Sequence, residues 1–161
     1  MDLFFKEAAM IKCTLIYLEQ NDQYLMLHRI KKARDVNKDK WIGVGGKFEP
    51  GETPEQCACR EMTEETGLIP LKLRYRGIVY FENSLCESEE MHLFTCTEFK
   101  GKVKDCDEGE LVWIKKKEIY QLNLWEGDRI FLEKLSTDSP FFQLRLIYCG
   151  DKLESWSFLE S

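Results

Sequence analysis

Histidine is nearly absent from this sequence. Only His28 and His92 occur, each isolated on a strand-like run, so no Ser/His/Asp or Cys/His arrangement can be built, and core or surface positions account for both rings. Positive charge is also outnumbered: 23 Lys and Arg face 29 Asp and Glu, a net charge of −6. A polyanion meets no bulk attraction on such a chain, which argues against sequence-independent binding of a nucleic-acid polymer. A small phosphorylated ligand is still allowed where metal ions neutralise the surface it touches. No apolar run approaches the roughly 18 residues of a membrane span. The first seven residues lack the basic and apolar regions of a signal peptide. There is no CxxC pair, and the seven cysteines, odd in number and irregular in spacing, do not form a disulfide framework. The expectation is a cytoplasmic protein with reduced, largely buried thiols. Cys57 and Cys59, two apart, would point to different sides of a helix.

What is present is enough for one core. With 161 residues, 43% of them hydrophobic, the chain suits a single domain over residues 10–161, preceded by a possible extension at 1–9. Residues 10–18 and 24–29 alternate and are rich in β-formers, with Gln20-Asn21-Asp22 as turn chemistry between them, so they read as a hairpin. Residues 30–40 are charged and aperiodic, which predicts a surface loop. Strands are expected at 71–81 and 91–99 around an acidic loop (82–90), and at 110–114. An amphipathic helix is expected over 126–136, and a closing hairpin over 140–149 and 152–159 around Gly150-Asp151. This order predicts an α/β domain with a mixed sheet.

The chemistry concentrates in residues 46–68, GKFEPGETPEQCACREMTEETGL. Thr53 as N-cap, Pro54 at N1 and Gln56 at N3 start a helix with a capping box, and Gly67 is placed to end it. Within that helix Glu61, Glu64 and Glu65 stand at i, i+3 and i+4, inside an arc of about 100°. Each such carboxylate pair costs roughly 0.2–0.5 kcal/mol, and Arg60 alone cannot neutralise all of them. A solvated acidic face is one explanation. The other is a hard divalent cation, which takes oxygen ligands and shares its coordination with substrate phosphates.

The full spacing decides between them. Gly46, Glu52, Arg60, Glu61, Met62, Glu64, Glu65, Gly67 and Leu68 fill G-x5-E-x7-R-E-U-x-E-E-x-G-U, where U is a bulky aliphatic residue. At average residue frequencies, a chance match at one start point is on the order of 10⁻⁹. The segment resembles the Nudix box, with Met62 the one soft departure. The resemblance implies an α/β/α sandwich with a mixed sheet, in which the box forms a loop–helix–loop that holds Mg²⁺ or Mn²⁺. By position it makes Glu61, Glu64 and Glu65 the metal-binding carboxylates, with the Gly45 carbonyl beside them. Glu61 would be the first choice of general base. Arg60 would orient a glutamate, and Glu52 would support the loop or an outer metal.

Outside the box the similarity is closest to the MutT-type branch, from Met10 nearly to the end. Trp41-Ile42-Gly43-Val44-Gly45-Gly46-Lys47 resembles its W-x-G-x-G-G-K lead-in. Glu108, five residues before Trp113, resembles a supplementary metal ligand, and Trp125-Glu126-Gly127-Asp128 resembles the tryptophan and acid that hold a purine. The resemblance implies a small-molecule nucleotide substrate, a nucleoside triphosphate hydrolysed to monophosphate and pyrophosphate, with 8-oxo-dGTP as the type. Lys47, Ile42, Trp125 and Asp128 would line its site. An indole offers a stacking surface worth roughly 1–3 kcal/mol to a base, although a tryptophan at a helix start also packs on a core. An ionised Asp128 would accept hydrogen bonds from a guanine-like edge. Ile42 stands where oxidised-purine enzymes of the branch carry Asn, and it offers a base no hydrogen bond. Other readings are a Nudix hydrolase of another nucleoside diphosphate-linked compound, or a non-catalytic ligand sensor. The proline of ADP-ribose hydrolases is replaced by Asn83, the tyrosine of dinucleoside polyphosphate hydrolases is not supplied by Ser84, Leu85 or Cys86, and the sensors' DNA-binding domain has no counterpart. Monomer and homodimer are both compatible with the sequence.

Overall fold

The computed structural model describes residues 10–160; the proposed extension at 1–9 lies outside the described residues. β1 (Ile11–Gln20) and β2 (Gln23–His28) form the expected hairpin. Its turn residues Asn21 and Asp22 both have positive φ, 50° and 59°. That is the twist a two-residue hairpin needs, and Asn and Asp tolerate it. β3 is short (Trp41–Ile42), and helix α1 spans Pro54–Thr66. β4 (Ile69–Asn83) and β5 (Glu89–Lys100) are longer than the sequence predicts, because pairing to their neighbours carries the strands into the acidic stretch. Glu82 there is held by Arg145 of the next strand, and Glu90 by His92, so the acidic loop shrinks to residues 84–88. β6 (Glu110–Lys115) is followed by a 3-10 turn at Lys116–Gln121 that periodicity did not reveal. Helix α2 (Asp128–Leu135) and the hairpin β7 (Phe142–Cys149) and β8 (Lys152–Phe158) complete the chain.

The strands form one mixed sheet in the order β3-β2-β1-β5-β4-β7-β8, with β6 also paired to β2. β1 runs parallel to β5, and β4 parallel to β7; the other pairs are antiparallel. β1 is buried on both faces from Cys13 to Leu18, as a central strand between two layers must be. Its alternating side chains feed two cores. Ile16 and Leu18 pack with Ala58 and Met62 of α1, whereas Leu15 and Tyr17 pack with Phe131, Leu132 and Leu135 of α2. Helices therefore cover both faces of the sheet, the three-layer α/β arrangement expected.

Two contacts fix the frame around the site. β1 and β2 pair only at the turn, and the segment after β3 fills the gap: Ile16 and Val44 exchange backbone hydrogen bonds at 2.6 and 3.0 Å, and Cys13 bridges Lys47. At the other end, buried Arg76 of β4 donates to the carbonyls of Lys134, Leu135 and Thr137, satisfying the open C-terminus of α2 with a cation. The Tyr148 hydroxyl of β7 accepts from the Gly127 N–H at 2.7 Å, just ahead of that helix. Both ends of α2 are thereby tied to the sheet.

Candidate active site

Helix α1 begins as its sequence requires. Thr53 Oγ1 accepts from the Gln56 N–H at 3.1 Å, Gln56 Oε1 accepts from the Thr53 N–H at 2.9 Å, and Gly67 ends the helix at φ 79°. Cys57 is buried against the sheet and Cys59 exposed, on different sides as expected. The turn after β3 is pressed between β1 and α1, so that Gly45 has no room for a side chain and one at Gly46 would displace Glu61. A Cβ at Gly45 would meet the Thr14 carbonyl oxygen at 1.9 Å, and one at Gly46 would meet the Glu61 carboxylate at 2.3–2.8 Å. This approach lets the Gly45 N–H donate to Glu65 Oε1 at 2.6 Å.

The box carboxylates are not equivalent. Arg60 gathers several: its guanidinium donates bidentately to Glu52 at 2.7 and 2.9 Å, to Glu61 at 2.6 Å, to Glu64 at 3.1 Å, and to the Lys47 carbonyl at 3.0 Å. The Arg60 hydrogen bond pulls the Glu52 carboxyl down to about 2, and Glu52 in turn raises Arg60 above its usual range. For Glu61, burial outweighs Arg60 and raises its proton affinity. Glu64, 59% exposed, lies on the outer flank of α1 beside Cys59 and Lys104, and meets the others only through Arg60. The expectation that all three glutamates share one face resolves into Glu61 and Glu65 inside and Glu64 at the rim.

Glu65 is buried, and its partner comes from far along the chain. Glu65, Cys106 and Glu108 place ligand atoms within 4.8 Å of one another. Glu65 is raised by burial and then by its hydrogen bond to Glu108, which keeps Glu108 itself low. These opposite shifts describe one proton shared by the pair, resident on the more buried Glu65. Glu65 Oε2 is buried and meets no N–H or hydroxyl donor, only the neighbouring acid, an arrangement that is costly for an ionised pair unless a cation completes it. Burial raises the Cys106 thiol, so it stays protonated and the donors are carboxylate oxygens. Such a set fits Mg²⁺ or Mn²⁺ better than a soft metal. Cys106 was not singled out in the sequence, because nothing in its spacing to Glu65 shows that they meet.

These carboxylates line a cleft of about 850 Å³. Its lining takes Glu61 and Glu65 from α1 on one face of the sheet, Glu108 from the segment before β6, Ile42 and Lys47 from β3 and the turn after it, and Trp125 and Asp128 from the start of α2 on the other face. Trp125 is 5% exposed and belongs to the core, edge-on to Phe81 and Tyr148 at 5.3 Å each. Its Nε1 donates to Asn37 Oδ1 at 2.7 Å, and Lys40 lies 5.1 Å from its ring centroid. The charged 30–40 segment is therefore a loop, as expected, but one anchored at the cleft rim. Asp128 corrects an expectation. It is 4% exposed, its carboxyl has no hydrogen-bond partner among the described residues, and burial lifts it to about 8 although Lys40 opposes this. At neutral pH it is largely the neutral acid, not the ionised acceptor that sequence reasoning assumed, because desolvation outweighs one distant cation.

Comparison with known proteins agrees with this geometry. The NUDIX domain family profile matches residues 12–135. An oxidized purine nucleoside triphosphate hydrolase of Danio rerio is 35% identical over 99 residues, 60% of this chain and 63% of that one. The protein of the same name from Mus musculus is 31% identical over 111 residues, covering 68% and 71%. The chain thus spans a little under two thirds of the Danio rerio relative. A MutT protein of Bacillus halodurans superimposes with a TM-score of 0.79 at 26% identity, covering 92% of this chain and 97% of its own.

Proposed function

We propose, from the premise that this chain belongs to the NUDIX family and is a hydrolase of that family, that it splits a purine nucleoside triphosphate into monophosphate and pyrophosphate. The observation that carries this reading is one cleft that takes in both the carboxylates on the α1 side and a buried, unpartnered Asp128 beside Trp125 on the α2 side. Relatives named for oxidized purine triphosphates and MutT-type structural neighbours support it.

Glu61, Glu65 and Glu108 would hold a divalent cation, which, when bound, neutralises phosphate charge and makes the phosphoryl group more electrophilic. Gly45 holds Glu65 through its N–H, and Arg60 holds Glu61 against the Gly46 backbone. Glu61 takes the proton from the attacking water, with its proton affinity raised by burial toward that task. Lys47 stands at the cleft wall, where its ammonium can meet a phosphate. On the α2 side, Asp128 as a neutral acid offers one donor and one acceptor together. It therefore matches a base edge with the complementary pair, such as O6 and N1–H of a guanine-type purine. Ile42 adds only apolar surface, so base discrimination falls to Asp128.

A Mg²⁺-supplemented panel of GTP, dGTP, 8-oxo-dGTP, ADP-ribose and diadenosine polyphosphates, with products resolved at early times, tests the reading. Monophosphate and pyrophosphate from the purine triphosphates are expected, with activity abolished by EDTA and reduced about 10²–10⁴-fold in Glu61→Gln. Orthophosphate as first product, or a preference for ADP-ribose, would overturn it.

A further inference from the structure

A second acidic group on the floor of this cleft has no part in the chemistry above. Glu89 opens β5, opposite Phe81 of β4 on one side and Ile11 of β1 on the other. By strand alternation it shares the face of Met91 and Leu93, the face on which the cleft opens. It is largely buried, yet its one hydrogen bond is weak: the Cys13 thiol donates to Oε1 at 3.7 Å. No lysine or arginine among the described residues pairs with it; burial raises its proton affinity, and Lys47 and Arg29 oppose this from a distance.

Its position along the cleft is defined from both sides. Cys13, which it contacts, bridges Lys47, whose carbonyl accepts from Arg60 beside the box carboxylates. Phe81, its cross-strand partner, packs edge-on against Trp125 on the α2 side, and the charge of Glu89 is felt at Asp128. Glu89 therefore lies on the cleft floor, between the groups assigned to the polyphosphate and those assigned to the base. In a nucleotide, that middle section is the sugar.

We propose that Glu89 is a specificity residue that accepts a hydrogen bond from the sugar 2′-hydroxyl and favours ribonucleoside over 2′-deoxyribonucleoside substrates; this rests on the nucleotide reading of the cleft. Between the phosphates and the base, hydroxyl groups are the only donors a nucleotide carries, and a carboxylate is the matching acceptor. A deoxy substrate fits the same space but leaves the buried acceptor with one partner fewer. Such polar mismatches discriminate far more strongly than a missing apolar group does. Burial without a strong internal partner is what keeps Glu89 available for this contact.

The test measures kcat/KM for GTP and dGTP, and for 8-oxo-GTP and 8-oxo-dGTP, in the wild type, Glu89→Gln and Glu89→Leu. Calorimetric Kd values for GMP and dGMP accompany them, and melting temperatures establish that each variant is folded. The wild type should favour ribose. Glu89→Leu should lose about ten- to a hundredfold on the ribonucleotides, the worth of a hydrogen bond to a charged group, and less than about threefold on the deoxynucleotides. Glu89→Gln, which keeps one acceptor oxygen, should shift the ratio in the same direction by less. A wild type indifferent to the sugar, or variants that lose equally on both sugars, would overturn the assignment. The GMP to dGMP binding ratio reads the sugar contact without turnover. Absence of triphosphate hydrolysis with a Glu89-dependent ratio would therefore refute the proposed reaction and leave this contact standing.

Discussion

Glu65 and Glu108, 43 residues apart in sequence, bring their carboxylates into contact and share one proton, held on the buried Glu65. The pair is repulsive when both are charged, so a cation must compete with a proton for the same oxygens.

Metal uptake should therefore release protons. Titration with Mg²⁺ near neutral pH, repeated in buffers of different ionisation enthalpy, should show release of about one proton per ion and an affinity that climbs with pH. Glu65→Gln imitates the protonated acid, keeping a donor toward Glu108. Its metal-free stability should match the wild type within about 0.5 kcal/mol, while the metal-induced rise in melting temperature disappears. Proton-neutral uptake would contradict the shared proton.

Arg60 is a positioning residue, since its guanidinium is taken up by Glu52, Glu61, Glu64 and the Lys47 carbonyl. Arg60→Lys keeps the charge and loses the planar fork, so kcat should fall about 10–100-fold by misplacing Glu61, with KM little changed. A variant that raises KM alone would place Arg60 on the substrate. The Glu52 pairing has its own pH signature. Its folded pKa, about 2, lies below the usual carboxylate value. Its contribution is thus complete at neutral pH and fades as pH falls from about 4.5 through 2.

Asp128 gives the opposite sign. Its folded pKa of about 8 lies above the unfolded value near 3.8, so between those pH values the folded state holds the extra proton. Stability should fall as pH rises through that window, by at most about 1.4 kcal/mol per unit. Asp128→Asn should flatten this slope and be the more stable protein at pH 9, as melting curves from pH 4 to 9 would show. The same variant, which keeps a donor and an acceptor, should bind guanine-type nucleotides with KM independent of pH. Wild-type KM should climb above pH 8. Identical slopes in the two proteins would mean that Asp128 is already ionised at neutral pH.

Trp125 serves the core as well as the cleft. Trp125→Ala should cost about 3–5 kcal/mol of stability through the lost contacts with Phe81 and Tyr148. Asn37→Ala, which frees the indole N–H and the loop above it, should leave stability within about 1 kcal/mol of wild type. It should nevertheless raise KM for every purine alike. Denaturant melts together with KM for GTP and ATP separate these effects; a base-selective change in Asn37→Ala would place Asn37 on the base itself.

The segment from Gly46 to Leu68 was legible because its constraints are local. A capping box, a C-terminal glycine, the Arg60 clamp and carboxylates one helical turn apart all lie within a few residues of one another, so spacing alone specifies their geometry. The hairpins were legible for the same reason, Asn21-Asp22 and Gly150-Asp151 being turns whose chemistry is written in adjacent residues. Strand lengths were not, because Glu82 and Glu90 are drawn into the sheet by Arg145 and His92, partners that periodicity cannot see.

By itself, then, the chain's sequence determined the box helix, which residues are acidic within it, and the α/β alternation that buries β1 between two helices. Only the tertiary structure decided which carboxylates act together. It turned Glu64 outward, brought Glu108 and Cys106 to Glu65, and set Glu89 and Asp128 in one cleft from separate strands and helices. It also decided that Asp128 is neutral rather than charged. The physical reason is that a carboxyl's protonation depends on the water and charges it has lost or gained in three dimensions. Those are set by packing between distant segments and not by its neighbours in the chain.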